Sequence, residues 1–387
     1  MTLILVFAIA LLVAVLISGV AERTVLSTAV LFLLVGFVGG GTGVLDLTPE
    51  DPLVSRLAEL ALFSVLFTDG MRVGVRDLTS AWRLPGRALA LGMPLTFLFT
   101  SLFAHYVAGL PWAAAFLVGA VLSPTDPVFA SAIVGREEVP QRLRHLLNVE
   151  SGVNDGLALP VVVVLLAVVG GSEPGEFMIV SELVLGIAIG VVVPYLMLRL
   201  EQTRLLHLSA RYIPLYAFAV GLFVYALSSV VHANLFLAAF SAGVTMATLS
   251  PRFRDAFHEF GELITELLKL AAILVFGALI SPAFLGEIGP GGYVFALLTL
   301  FAVRPATILL SFLGSRLGWR EWFAVAWCGL KGFASVVYGL LVLESGVALA
   351  DEMFPIIAIA VAASILLHSA TDVVVARQFS DASLEQD

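Results

Sequence analysis

Apolar residues recur along this chain in runs of 16 to 27, separated by short clusters of charge, glycine and proline. A helix needs roughly 20 such residues to cross the hydrocarbon of a bilayer. Thirteen runs fit, at 2–20, 25–40, 52–70, 86–107, 111–134, 143–169, 177–199, 212–231, 233–249, 262–283, 291–314, 320–343 and 353–376. They predict an all-α polytopic membrane protein of about 13 transmembrane helices. The turn at His232, between the eighth and ninth runs, is the shortest break. The first run lacks the basic start and small-residue cleavage site of a signal peptide, so it reads as a retained helix.

Composition agrees and adds orientation. Sixty per cent of the 387 residues are hydrophobic, 13% are charged, and the mean hydropathy is +1.05. So little polar material does not cover the surface of a soluble domain. The net charge of −9 hides an uneven distribution. With the N-terminus outside, the inner loops carry 16 arginines and the outer loops only Arg56, which sits among Asp46, Glu50, Asp51, Glu173, Glu176, Glu287, Asp351 and Glu352. The excess of basic residues on one side follows the positive-inside rule and supports an odd number of spans. The expected location is the cell (inner or plasma) membrane, with the C-terminus cytoplasmic. The ten or so residues after Arg377 read as a polar tail too short for a regulatory domain. The single cysteine, Cys328, excludes a disulfide within the chain.

Ionisable side chains at bilayer depth are expensive and mark function by default. Five lie deep: Asp126, Asp155, Arg304 and Lys331, with Glu150 somewhat nearer the inner face. Ion pairs that only fix helix packing are the plainer explanation for any one of them. Convergence from four different spans at one depth favours a site.

Local sequence explains how such a site is built. Span five contains Ser123-Pro124-Thr125-Asp126-Pro127, whose two prolines remove backbone donors and interrupt the helix. Asp126 before Pro127 is a helix-start signal, an N-cap carboxylate answering the positive end of a half-helix. Span twelve contains Gly329-Leu330-Lys331-Gly332, where glycines permit unwinding and Lys331 balances the opposite dipole end. Two broken helices at matching places in two halves predict inverted repeats with crossing half-helices and a site at the midplane. In span six, Ser151 and Asp155 share one face, and Glu150 and Asn154 the adjoining one. Hydroxyl and carboxylate oxygens suit a hard cation, whereas a second carboxylate suits a buried arginine. For Ser151, a hydroxyl bonded back to its own helix is an equal alternative.

Thr125-Asp126-Pro127, Glu150-Ser151, Asn154-Asp155-Gly156, Arg304-Pro305 and the Gly-x-Lys-Gly at 329–332 together resemble the monovalent cation:proton antiporters of the NhaP type, relatives of the eukaryotic sodium/proton exchangers. The likeness runs over the whole chain. It implies a core domain of spans 4–6 and 11–13 (about 86–169 and 291–376) that moves against a dimer domain of spans 1–3 and 8–10 (about 1–70 and 212–283), with span 7 (177–199) as linker. It implies a homodimer and Asp155 as the essential carboxylate, binding either a proton or the transported Na⁺. Ser151, the Thr125 backbone and Asn154 join that ion site, Glu150 pairs with Arg304, and Asp126 with Lys331 compensates the half-helices. Lys331 departs from the arginine more usual in the family, which changes the geometry available to its partner. Asp69, in Phe67-Thr68-Asp69-Gly70, falls near an accessory acid of some relatives, although a surface pair with Arg72 at i+3 is an equal reading. Electrogenic relatives carry an aspartate where this chain has Asn154, so the resemblance implies exchange of one cation per proton with no net charge moved.

The residues argue against three rivals. An intramembrane aspartyl protease lacks its Gly-x-Gly-Asp here, an ion channel lacks rings or repeated filter loops, and a cation-coupled solute symporter lacks an aromatic cage. No nucleotide loop, Cys/His metal cluster or nucleic-acid patch is present, so no cofactor is expected; the partners are a monovalent cation (Na⁺, Li⁺ or K⁺), protons and the lipid bilayer. His145 reads as a solvated interface histidine.

Overall fold

The computed structural model describes residues 1–21, 27–49, 51–72, 84–125, 139–170, 176–203, 208–280, 282–315, 317–327, 329, 331–347 and 349–384, and among them contains helices and no strand. In chain order the helices are α1 (Thr2–Ala21), α2 (Thr28–Gly41), α3 (Pro52–Arg72), α4 (Leu84–Tyr106), α5 (Trp112–Val121), α6 (Gln141–Val169) and α7 (Glu176–Glu201). They continue with α8 (Ile213–Val230), α9 (Leu235–Leu249), α10 (Pro251–Leu279), α11 (Pro290–Ser311), α12 (Trp319–Trp327), α13 (Phe333–Glu344) and α14 (Ala350–Leu384), with a short helix Pro282–Glu287 before α11. A helix falls in each of the thirteen predicted runs, and run twelve holds two. Among the described residues, five helices are long and apolar enough to cross a membrane by length and composition: α4, α8, α11 and the apolar parts of α7 and α14.

One boundary differs from hydropathy for a clear reason. The tenth run was expected to begin at 262, yet α10 starts at Pro251, after an extended Ser250. Arg252, Arg254, Asp255, His258 and Glu259 hide this segment from a hydropathy window, while Phe253 and Phe257 on its other face are buried. The amphipathic period of the helix, not its mean hydropathy, sets that start. At the short turn between α8 and α9, His232 adopts φ 54°, and the Asn234 side chain caps α9 by accepting from Leu237 N at 2.8 Å.

Backbones approach closely where side chains are absent, as lipid-embedded packing favours. In the α3–α9 pair, a Cβ on Gly70 would run into the Phe240 carbonyl, and one on Gly243 into the Phe67 carbonyl. The contact is reciprocal, so neither helix can gain a side chain there without separation. α10 packs on both α2 and α3, α4 on α5, α5 on α6, and α14 on α11 and α13.

The halves repeat. In α4 a π-helical turn at Ala88–Gly92 precedes Met93-Pro94; in α11 another at Thr299–Val303 precedes Arg304-Pro305. A proline cannot donate to the ladder, and one widened turn accommodates the loss. Two residues beyond each proline, Thr96 Oγ1 and Thr307 Oγ1 lie 3.3 Å apart. Contact between equivalent residues is what a pseudo-two-fold axis produces. Both predicted breaks occur. α5 stops at Val121 and Leu122–Thr125 are non-helical, while Gly329, Lys331 and Gly332 separate α12 from α13. Asp126 and the expected second half of span five lie outside the described residues. The breaks meet where Ser335 Oγ donates to Val121 O at 2.8 Å.

Gly243→Leu is expected to destabilise the fold by about 1–3 kcal/mol through overpacking, read as a lower thermal unfolding midpoint of detergent-purified protein. An unchanged midpoint contradicts the close α3–α9 contact.

Candidate ion-binding site

The site begins with an unevenness in α6. This 29-residue helix contains Pro160, which cannot donate to the Gly156 carbonyl and crowds it. The ladder is therefore interrupted one residue beyond Asp155. Tyr338, fully buried on α13, reaches across and donates to the Asp155 carbonyl at 2.8 Å. Gly156 leaves space that the Phe240 ring of α9 fills, at 2.8 Å from where a Cβ would stand. The backbone carrying Asp155 is thus held by α13 on one contact and α9 on another.

The neighbouring residues on α6 bind the two broken spans. Asn154 Nδ2 donates to Thr125 O at 2.9 Å and to Thr125 Oγ1 at 2.7 Å. The amide thus reaches from α6 into the break of span five. Four residues earlier, Glu150 Oε1 meets Arg304 Nη1 at 2.7 Å, joining α6 to α11. The guanidinium lies over Gly329 so closely that a Cβ there would overlap Arg304 Nε. Lys331 is tied through its backbone, its N–H donating to Ser364 Oγ of α14 at 3.0 Å. Thr125, Glu150, Asn154, Asp155, Arg304 and Lys331 are all buried, none more than 4% exposed. This burial is what separates a site from a solvated charge cluster.

Of the residues singled out in the sequence, Glu150 meets Arg304, Asn154 meets Thr125 with Asp155 the next residue on α6, and Lys331 lies within reach of the charges of Arg304 and Glu150. The Ser151 side chain and Asp126 lie outside the described residues. Asp69, near the end of α3, lies close enough to Tyr338 for its charge to act on that hydroxyl, as the charge of Asp155 does. Asp69 is buried, and Arg72 Nη1 lies 3.3 Å from its Oδ1 while Arg72 Nη2 pairs with Glu262 at 2.7 Å. Next to it, Ser64, Thr68 and Thr265 form a buried hydroxyl cluster with oxygens 2.9 Å apart, between α3 and α10. Sequence reading missed Tyr338, Ser335, Ser364 and Pro160. Ser335 and Tyr338 carried a usable signal: two hydrogen-bonding residues at i and i+3 just after a break in an otherwise apolar helix. Pro160, five residues beyond Asp155, carried another.

The profile of the sodium/hydrogen exchanger transmembrane family matches residues 7–376. The chain belongs to that family. Exchanger relatives include the K(+)/H(+) antiporter NhaP2 of Shewanella sp. (strain MR-4), 27% identical over 378 residues, which cover 94% of this chain and 65% of the relative. The Na(+)/H(+) antiporter ApNhaP of Aphanothece halophytica is 27% identical over 80% of this chain and 62% of its own length. The chain thus spans just under two thirds of the length of the curated relatives it matches. Its fold matches that of the sodium proton antiporter MjNhaP1 from Methanocaldococcus jannaschii at TM-score 0.78, with 19% identity, covering 98% of this chain and 99% of that one.

Arg304→Ala leaves Glu150 charged and unpaired, and is expected to destabilise the protein by about 3–5 kcal/mol. Arg304→Met combined with Glu150→Gln is expected to recover most of that loss. Thermal unfolding of the three forms in detergent checks the coupling; equal losses in the single and double variants would remove it.

Proposed function

We propose that this exchanger family member is a monovalent cation/proton antiporter in which cation and proton compete for Asp155. The observation that carries the reading is the division of labour on α6. Glu150 is engaged by Arg304 and Asn154 by Thr125, and Asp155, the second carboxylate of α6, is buried one residue beyond Asn154, beside the break. In formal charge, the three carboxylates Glu150, Asp126 and Asp155 exceed the two cations Arg304 and Lys331 by one. One proton or one monovalent cation cancels that excess, never both at once. Burial penalises the charged form of a carboxylate, so a core that crosses the membrane only when Asp155 is neutralised exchanges the two ions obligatorily. Asp155, Ser151 and Thr125 supply the cation's oxygen ligands, and Asn154 holds Thr125 in place for them.

With Asn154 adding no second charge, exchange is one for one and moves no net charge. Spans 4–6 and 11–13 form the moving core, spans 1–3 and 8–10 the stationary dimer domain of a homodimer, and span 7 the linker; the motion is elevator-like. The arginine-rich loops face the cytoplasm of the cell that carries the protein in its plasma membrane. The transported ion is Na⁺ or K⁺, since relatives named for each occur at the same 27% identity.

In proteoliposomes, Asp155→Asn is expected to abolish cation-driven proton movement; retained exchange sinks the site. Wild-type exchange is expected to proceed without current. Competition for one carboxylate further requires the apparent KM for the cation to rise about tenfold per unit fall in pH once the proton outcompetes it, by reciprocal linkage. A pH-independent KM contradicts a shared site.

A further inference from the structure

We propose that the cleft between α7 and α9 is a binding site for an anionic phospholipid, with one acyl chain in the cleft and the phosphate at Arg199. The two helices touch closely at two glycines, where a Cβ on Gly186 would stand 2.7 Å from the Asn234 carbonyl oxygen and one on Gly190 would run into that of Ala238. α7 then contains Pro194, which bends a helix away from its former course. The pair opens below the glycines into a cleft of about 470 Å³, lined by Val191, Val192, Tyr195, Phe240, Val244 and Leu249 among others.

Its chemistry selects hydrocarbon. The threonines in the lining turn their hydroxyls back on their own helix, Thr245 Oγ1 donating to Ser241 O at 2.7 Å and Thr248 Oγ1 to Val244 O at 2.6 Å. The cleft therefore presents almost no hydrogen-bonding capacity to an occupant, and water or a polar solute would lose bonds on entering. A single acyl chain fits.

The polar end of the ligand is indicated by the arginine at the mouth. One turn beyond Tyr195, exposed Arg199 donates from Nε to the Tyr195 hydroxyl at 3.2 Å and lies over its ring at 5.3 Å. A residue of the cleft wall thus orients the cation at its mouth, and cation–π seating restricts the side chain before any ligand arrives. Arg252 is nearby, 3.6 Å from Glu201 Oε1, so Glu201 offsets part of its charge and Arg199 is the principal contact. On the proposed orientation this mouth faces the cytoplasmic leaflet, the side rich in anionic lipid. The binding claim stands whether or not the chain exchanges ions. The Phe240 ring that lines the cleft is also the one packed on Gly156, next to Asp155.

Native mass spectrometry of the full detergent-purified chain, titrated with phosphatidylglycerol or with phosphatidylcholine of the same acyl chains, tests this. Phosphatidylglycerol is expected to be retained at least fivefold more strongly. Arg199→Gln and, separately, Tyr195→Leu are expected to bring that preference below twofold while a lipid is still bound. Val244→Trp, which fills the cleft, is expected to reduce retention of both lipids by fivefold or more. Equal retention of the two lipids by the wild type overturns the proposal. So does a preference that survives both Arg199→Gln and Tyr195→Leu, which marks annular contact elsewhere. The two surface variants decide the matter even if Val244→Trp disturbs folding.

Discussion

Hydrocarbon supplies no hydrogen bonds, so a helix that stops inside the membrane must have its loose ends answered by another part of the protein. Much of this structure follows from that constraint. α5 stops at Val121, and Ser335 at the start of α13 meets its carbonyl. Thr125, further into the break, receives both donors of the Asn154 amide. On the other broken span, the Lys331 N–H is taken by Ser364 of α14. The described backbone groups at Val121, Thr125 and Lys331 are each met by a polar side chain of a different helix, which ties the two breaks to the helices crossing them.

The same connections place the chemistry. Asn154 and Asp155 are adjacent, so the amide that secures Thr125 also sets the position of the next carboxylate relative to the break. Pro160 loosens α6 just beyond that point, and Tyr338 ties down the carbonyl of Asp155 itself. A helix so interrupted would be pliable if it stood alone. Contacts from α13 and α9 on either side of Asp155 make it specific. The Glu150–Arg304 pair lies one turn away and uses Gly329 to bring span twelve against the guanidinium. An arginine so covered is held by shape as well as by charge.

The repeat explains why both halves share these devices. Each begins its core with a π-helical turn before a proline, and the threonines two residues beyond meet across the axis. Directly after that turn, at equivalent places, one half carries Met93 and the other Arg304. The symmetric scaffold therefore holds an asymmetric site, with the positive charge supplied by one repeat and the carboxylates of α6 by the other.

Composition and hydropathy alone determined that the chain is a bundle of membrane helices, because transfer to hydrocarbon depends on residue type and length. Local sequence also determined the two breaks, since prolines and glycines act on the backbone beside them. It identified Glu150, Asp155, Arg304 and Lys331 as well, because charge at that depth is costly wherever the helices pack. Tertiary structure decided which of these groups meet. Helical periodicity put Glu150 and Asn154 on one face without revealing that the first faces Arg304 and the second Thr125. It could not anticipate that Tyr338, 183 residues along the chain, would reach the carbonyl of Asp155. The start of α10 was hidden for a related reason: its charged face masked an apolar face that only packing uses. Partners distant in sequence are chosen by how helices lie against one another, and no local propensity encodes that choice.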